Sequence, residues 1–439
     1  MVCVEYILPP PPMSDRLRPL ISALTDNTLL GAVLFPIEQA LGRCRANNAT
    51  FRTLNMADFI TLGVLRHLQG ILCGRAHLQS LAHEVAQLGR TPLARSTWGD
   101  ALASNTRHTV LVQCVVELLR IARARLPDRL KGFSSLTGRA VYAVDGSYQK
   151  ESAHFRRRSP KDGGEDNAKG HCLLSFFDLR LGCVIDAAVE TRSRHEVPVL
   201  RDYDDDDAAL TREHKALWVV DRGFIDAPWW DQKKRRLGAT MITRWREDLV
   251  IDSNEMIAID VQSCNEGVLS DQRITLKSSG EFWRLIMYQT PRGRVVKFLS
   301  NDFTLQPGEI AFIYSRRWEE EKAFDVWKND FAMAKAWGMS KTSITNQLLL
   351  AIITSVLLSL FLHENGCGSD ADDKSQQKQS RRAAGRDGGT DRPAWSEPLY
   401  RFTTRLSKQV LRFFRCCYRQ RMSPRLIDGQ LRPLLQCYM

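Results

Sequence analysis

Apolar positions in the first third of the chain follow the period of a helix. Between residues 17 and 131 they recur every three or four positions, as in Ile60, Val64 and Leu68, so that they share one face of a helix. After Gly132 this period gives way to short apolar runs that are typical of strands. The pattern predicts an all-helical domain over residues 17–131 and a different architecture beyond it.

Five apolar runs after Gly132 predict strands, and two polar stretches between them predict helices. The strands are expected at 140–144, 172–179, 183–190, 216–220 and 239–243, and the helices at 198–215 and 229–236. Three strands, a helix, and then alternating strands and helices is the order of a ribonuclease-H-like α/β fold. We therefore predict the first part of such a domain over residues 132–248.

A series of β-prone segments over residues 249–299 then predicts a β-rich insertion. Helical periodicity returns at 313–335 and 342–363, so residues 300–365 are expected to form the second part of the α/β domain. The apolar run 348–362 is shorter than the roughly 20 residues of a membrane helix. We interpret it as a buried helix.

The two ends of the chain differ in composition from the rest. Consecutive prolines at residues 9–12 predict a disordered tail over 1–16, and the polar stretch 366–394 predicts a disordered linker. Residues 395–439 interleave apolar side chains with arginines, which indicates a basic helical segment. That segment can lie on phosphates or on a partner, or it can pack back on its own domain.

Charge points to a polyanionic partner. The chain has 62 Lys and Arg against 50 Asp and Glu, so nucleic acid is the leading candidate. Its 11 cysteines form no CxxC pair and no zinc-finger spacing, and prolines interrupt any signal-peptide core near the N-terminus. We expect a cytoplasmic protein without membrane association, structural zinc or a small-molecule cofactor.

The segment 95–98 precedes a helical stretch, and Ser96 or Thr97 is a candidate N-cap. One interpretation is a helix-turn-helix that places Ser96, Thr97, Trp98 and Arg107 on DNA. Residues 17–131 would then be a DNA-binding domain. The other interpretation is a plain capped helix in a bundle.

Two aspartates each follow an apolar strand. Asp145 is followed by Gly146, and Asp221 is followed two positions later by Gly223. A strand end fixes a carboxylate on rigid backbone, while the glycine leaves space for metal and phosphate. Two such carboxylates can share hard cations that bind a phosphodiester, although an Asp-Gly pair alone is more typical of a turn.

The predicted helix 313–335 carries the third element. At about 100° per residue, Tyr314, Arg317, Glu321 and Lys328 fall within an arc of about 60°. Glu321 can complete a three-carboxylate metal site, while Arg317 and Lys328 are placed for the DNA backbone. A solvated charged face would explain the pair of Arg317 and Glu321, but not the tyrosine and three charges in register.

These residues resemble the DDE transposases of bacterial insertion sequences, in the group named for insertion sequence four. The signature of that group is Tyr, two residues, Arg, three residues, Glu, six residues, Lys, and it is matched at all four places. Asp145-Gly-Ser and Asp221-Arg-Gly-Phe look like its two aspartate motifs, and the resemblance covers about residues 55–365. Glu320 departs from the pattern, because the group often has an apolar residue there.

The resemblance implies cut-and-paste transposition on terminal inverted repeats. Two Mg²⁺ ions, for which Mn²⁺ can substitute, would bind between Asp145, Asp221 and Glu321. Water would nick the end of the element, and the freed 3′-hydroxyl would attack a second phosphodiester. The implied partners are the terminal repeats and target DNA, bound by a homodimer on paired ends in a bacterial, nucleoid-associated protein.

Relatives of that group proceed through a DNA hairpin. By position, Tyr314 and Arg317 would hold the terminal phosphates around a flipped base. Trp283, in the β insertion, is a candidate to stack on that base, and a place in the core of a strand is its alternative.

Two rival functions share these residues. A nuclease of the same fold would hydrolyse DNA without joining it, and the metal site alone does not separate the two. A non-catalytic DNA-binding descendant is the other rival, against which the intact set of carboxylates argues.

Overall fold

The structure is a computed structural model that describes residues 29–44, 51, 54–79, 93–150, 171–190, 196–205, 213–290 and 293–364. Its helices are α1 Leu29–Leu41, α2 Met56–Gln69, α3 Arg95–Ala103, α4 Asn105–Arg125, α5 Glu196–Asp205, α6 Ala227–Leu237, α7 Pro307–Arg316, α8 Trp318–Asn329 and α9 Lys341–Glu364. Its strands are β1 Val141–Gln149, β2 His171–Asp178, β3 Cys183–Glu190, β4 Leu217–Val220, β5 Thr240–Arg244, β6 Ile251–Met256, β7 Val268–Leu276, β8 Phe282–Gln289 and β9 Val295–Ser300. The predicted tail 1–16, linker 366–394 and basic segment 395–439 lie outside the described residues.

The strands of the described residues form one mixed sheet in the order β3-β2-β1-β4-β5-β9-β8-β7-β6. Strand β1 runs parallel to β4, and β4 runs parallel to β5, while the other neighbours are antiparallel. Every residue of β4 is buried, as a parallel strand covered on both faces requires. The predicted mixed α/β class is confirmed, and β3 has the predicted bounds.

Strand β1 is longer than predicted, and Asp145 lies within it rather than at its end. Its parallel pairing with β4 ends at Val144 opposite Val220. Its antiparallel pairing with β2 continues to Gln149 opposite His171. The apolar run of β1 ends at Val144, where its pairing with β4 also ends. The sequence of β1 alone does not reveal that β2, on its other side, continues the pairing to Gln149.

Helix α9 is the common packing partner of the N-terminal helices. It contacts α1, α2, α3, α4 and strand β3. The helix is long and apolar enough to cross a membrane, but 83% of its apolar window is buried inside the protein. A helix that is apolar all round fits a protein core, so the prediction of a buried helix at 348–362 is confirmed.

The helix predicted at 313–335 is two helices. Helix α7 ends at Arg316 and α8 begins at Trp318, and Arg317 between them keeps near-helical dihedrals of φ −55° and ψ −28°. The backbone N–H of Glu320 donates to the carbonyl of Arg317 at 3.0 Å, which closes a tight turn. Because this turn departs so little from a helix, the periodicity of the sequence passes through it unchanged. Helix α8 then ends at Asn329, six residues before the predicted end.

Strands β6 to β9 extend the sheet beyond β5 and support the start of α7. The carboxylate of Asp271 on β7 accepts two hydrogen bonds from the guanidinium of Arg284 on β8, and both side chains are buried. Arg284 also donates to the carbonyls of Asp302 at 3.0 Å and Leu305 at 2.7 Å. This buried pair therefore fixes the loop from which α7 departs.

Asp271→Ala should destabilise the protein strongly, because it leaves the charge of Arg284 buried without its anion. We expect a loss of about 3–5 kcal/mol in the free energy of unfolding, measured by urea denaturation with circular dichroism. The matched control is Arg235→Ala, which removes an ion pair to Glu281 whose side chains are 61% and 35% exposed. That variant should lose less than about 1 kcal/mol, and equal losses in the two variants would contradict this assignment.

Candidate active site

Asp145 and Asp221 lie at the level where β1 and β4 separate. Val144 and Val220 form the last pair of the parallel ladder, so each aspartate is the next residue beyond it. Asp221 has an extended backbone and precedes a short 3₁₀ turn, Arg222–Phe224. Since parallel strands end at the same edge of a sheet, both carboxylates belong to one edge.

The guanidinium of Arg317 lies between Asp145 and Glu321. Its Nη1 is 3.3 Å from Oδ2 of Asp145, and its Nη2 is 2.5 Å from Oε1 of Glu321. The side chain of Arg317 is only 9% exposed, whereas those of Asp145 and Glu321 are 21% and 30% exposed. One buried cation thus holds two partly exposed carboxylates on the same side of the sheet.

Three consecutive glutamates in the first turn of α8 have three different environments. Glu319 is buried and pairs with Arg129 at 3.1 Å and Arg316 at 2.5 Å. Glu320 is fully buried, and its Oε1 accepts from the backbone N–H of Asp145 at 3.0 Å. Glu321 alone of the three is partly exposed. Carboxylates in a first turn also interact favourably with the helix dipole.

Burial and neighbouring charge shift the pKa values of these groups. Burial raises the pKa of Asp145, and the charges of Glu321 and Asp221 raise it further, while Arg317 opposes them. Burial and the charge of Asp145 raise the pKa of Glu320 well above its ordinary range. Burial disfavours the charge on Arg317, but the surrounding acidic groups raise its pKa above the ordinary value. Arg317 therefore stays protonated.

Tyr314 and Lys328 occupy different surroundings. Tyr314 is buried, with its ring 5.2 Å from that of Phe298 and the guanidinium of Arg317 at 5.7 Å from its centre. Lys328 is exposed near the end of α8, with Nζ 5.9 Å from the ring of Phe324. The structure therefore brings Tyr314 of α7, Arg317 and Glu321 of α8 together, and it leaves Lys328 exposed near the end of α8.

Glu196, at the start of α5, brings a further carboxylate to this edge. Its side chain lies against Gly146, where an added Cβ would be 2.1 Å from Oε1 of Glu196. Burial raises the pKa of Glu196, and the charges of Asp145 and Asp221 raise it further. The space beside Gly146 is thus taken by this carboxylate. No pattern in the sequence indicated Glu196, because it opens a polar helix that has no motif of its own.

The donor set suits a hard divalent cation. Within the described ranges no three His, Cys, Asp or Glu side chains converge on one metal-binding point. Asp145 and Glu321 instead both bond the guanidinium of Arg317, whose positive charge lies between the two carboxylates. Asp145, Asp221 and Glu321 offer only carboxylate oxygens, the ligands that Mg²⁺ and Mn²⁺ prefer.

Two tryptophans that are candidates for DNA contact, Trp283 and Trp98, are buried in the structure. Trp283 is fully buried, and its Nε1 donates to Asp231 at 3.1 Å and to Ser279 at 2.9 Å. Trp98 is 4% exposed and packs on Phe59 at 5.3 Å. Burial of both indoles favours the core alternative for Trp283 and the bundle interpretation for Trp98, and their contact with DNA stays a prediction. Amphipathic aromatic residues satisfy the same pattern in a core and on a surface.

The start of α3 also differs from the prediction. Its N-cap is Ala94, without a side-chain hydrogen bond, so neither Ser96 nor Thr97 is the cap. Ser96 is exposed and Thr97 partly exposed within the first turn. Arg107 is buried and donates to the carbonyl of Leu54. These contacts fit the bundle interpretation of α3 and α4 better than a DNA-reading helix.

Comparison with known proteins shows that the part of the chain that forms this edge matches a known sequence family. The family described as "Transposase DDE domain" matches residues 137–357, about half of the chain, which include Asp145, Asp221 and Glu321. No curated protein matches the sequence. Among solved structures, a cryo-EM structure of the piggyBac transposase synaptic complex with hairpin DNA is similar at 12% identity and a TM-score of 0.36, covering 92% of this chain and 80% of that one.

Trp283→Ala should destabilise the fold, because it removes a fully buried indole. We expect a loss of about 3–5 kcal/mol in the free energy of unfolding, with unchanged DNA affinity at a temperature where the variant stays folded. Trp318→Ala is the control for stability, since Trp318 is 58% exposed. Intact stability together with weakened DNA binding in Trp283→Ala would restore the stacking role for Trp283.

Proposed function

The chain belongs to the transposase DDE domain family, and from this premise we propose that it moves an insertion sequence by cut-and-paste transposition. Membership of that family makes the chain a metal-dependent transposase that cleaves DNA. The observation that carries the proposal is the arrangement of Asp145 and Glu321 around the buried guanidinium of Arg317, with Asp221 at the same edge.

The proposed subgroup is the one named for insertion sequence four. Tyr314, Arg317 and Glu321 lie together at the break between α7 and α8, and Lys328 lies later on α8. The proposed fold is ribonuclease-H-like, which the strand order β3-β2-β1-β4-β5, with β3 and β2 antiparallel, supports. We keep the boundaries predicted from the sequence, including the insertion 249–299, as part of this proposal.

The proposed mechanism assigns a role to each side chain at this edge. Asp145, Asp221 and Glu321 would hold two Mg²⁺ ions, which supply Lewis acidity to the scissile phosphate and lower the pKa of a bound water. In this structure both terminal nitrogens of Arg317 bond Asp145 and Glu321, and the charged guanidinium would turn from those carboxylates to donate to a DNA phosphate. Tyr314 fixes the position of Arg317 through its ring, and the exposed ammonium of Lys328 offers a point charge to the DNA backbone.

DNA is the proposed partner in two forms, the terminal inverted repeats and the target. A homodimer would hold two ends together, and the protein would act in the bacterial cytoplasm on the nucleoid. The surplus of 62 basic over 50 acidic residues supports attraction to DNA. The all-helical region before β1 is the proposed DNA-binding part, although Trp98 and Arg107 serve its core.

Glu321→Gln should abolish DNA cleavage and leave DNA binding intact, because an amide keeps the shape of the side chain without its charge. The substrate is a duplex that carries the inverted repeats bounding the gene, incubated with Mg²⁺ and resolved on a denaturing gel. Glu247→Gln is the matched control, since Glu247 is 80% exposed and pairs only loosely with Lys297 at 3.3 Å. Cleavage that persists in Glu321→Gln would remove Glu321 from the metal site.

The products of the same reaction separate transposition from its rivals. Joined or hairpinned ends support the proposal, and simple nicks support a nuclease. Bound but uncut DNA with the unaltered protein supports a binding protein.

Metal removal should stop the reaction reversibly. A chelator should bring cleavage to background, and Mg²⁺ or Mn²⁺ should restore it because both suit an all-carboxylate site. Ca²⁺, which prefers more ligands and longer distances, should support DNA binding with little cleavage. Cleavage that continues in the chelator would exclude the metal mechanism.

A further inference from the structure

Glu320 connects the helix that carries Glu321 to the strand that carries Asp145. Its Oε1 accepts a hydrogen bond from the backbone N–H of Asp145 at 3.0 Å. The same oxygen accepts from the hydroxyl of Ser175 at 2.5 Å, and Ser175 is the residue of β2 paired with Asp145. One carboxyl oxygen therefore joins α8, β1 and β2 at the position of a proposed metal ligand.

The burial of Glu320 is costly, so the residue calls for a functional explanation. Its side chain is fully buried, and Oε2 has no hydrogen-bond partner within the described part of the chain. Burying a carboxyl group that is incompletely hydrogen-bonded costs free energy, and an apolar side chain of similar volume would avoid that cost. Residues that lower stability in this way are expected at functional sites.

The neighbouring glutamates show that position, and not acidity alone, distinguishes Glu320. Glu319 turns away to the basic side chains of Arg129 and Arg316. Glu321 reaches Arg317 and is partly exposed. Glu320 alone of the three bonds the backbone of Asp145. Because Glu320 and Glu321 are consecutive, the hydrogen bond that fixes Glu320 to β1 also restricts the position of the Glu321 backbone relative to Asp145.

We infer that Glu320 is a positioning residue that sets the separation of the Asp145 and Glu321 carboxylates through its hydrogen bonds to Asp145 N–H and Ser175. The inference rests on the proposed function, because those two carboxylates are its metal ligands. Glu320 touches neither metal nor DNA in this role. What it contributes is an acceptor oxygen, so an amide in its place should serve as well as the acid.

Three variants test the role by Mn²⁺ binding, measured by calorimetry on the full chain without DNA. Glu320→Leu removes the acceptor and should raise the Kd for Mn²⁺ about 10–100-fold, the usual effect of losing a group that orients a metal ligand. Glu320→Gln keeps a carbonyl oxygen at the same place and should stay within about twofold of the parent protein. Glu319→Gln, next to it but bonded elsewhere, should lower the melting temperature and leave the Kd unchanged.

Hydrogen exchange gives a second readout that does not depend on metal. The amide of Asp145 should exchange faster in Glu320→Leu than in the parent protein, and Glu320→Gln should restore its protection. In cleavage assays Glu320→Leu should lower kcat with little change in KM for DNA, because the acceptor positions ligands and does not bind substrate.

Each contrary result has a definite meaning. Unchanged Mn²⁺ binding and unchanged exchange in Glu320→Leu would overturn the positioning role. Weak Mn²⁺ binding in Glu320→Gln as well would also overturn it, because it would show that the charge of Glu320 is needed. If instead Glu320→Leu weakens Mn²⁺ binding but the parent protein joins no DNA ends, the positioning role stands and the proposed transposition fails.

Discussion

Mutual repulsion among carboxylates is the constraint on which the candidate active site depends. Burial raises the pKa of Asp145 and of Glu196, the charges of Glu321 and Asp221 raise that of Asp145 further, and the charges of Asp145 and Asp221 raise that of Glu196 further. Such a group is stable only if cations and hydrogen bonds hold it in place. Arg317 supplies the cation from the break between α7 and α8. The loop fixed by Arg284 sets where α7 begins, and the tight turn sets where α7 ends. Together they place the charge of Arg317 beside Asp145 of β1.

The first turn of α8 meets this constraint with three glutamates of unequal function. Glu319 ties the helix to basic side chains outside the site, Glu320 ties it to the backbone of β1, and Glu321 faces the partly exposed edge. A single acidic residue in that turn would leave the direction of the helix to packing alone. The attachments made by Glu319 and Glu320 define the position and the rotation of the helix, and they leave Glu321 at the exposed edge.

Much of this arrangement was predictable from local pattern. The alternation of strands and helices predicts the mixed α/β class. Asp145 and Asp221 are recognisable because each follows an apolar strand, and Glu321 because it shares a helical face with Tyr314, Arg317 and Lys328. The length of β1 and the break at Arg317 were missed, since the first depends on a distant strand and the second barely alters the dihedrals. Trp98, Trp283, Glu196 and Glu320 needed the tertiary structure, because burial and cross-chain contacts decide what they do.

Helix α9 has a consequence for how the chain is made. It packs on α1, α2, α3 and α4, yet it is synthesised more than two hundred residues after α4 ends. During translation the N-terminal helices leave the ribosome before α9 is synthesised. The apolar faces that pack on α9 stay uncovered until the strands of the sheet have also been made. Domains that fold as units usually do so from the N-terminus onward. A product truncated before α9 therefore lacks the helix against which all four N-terminal helices pack.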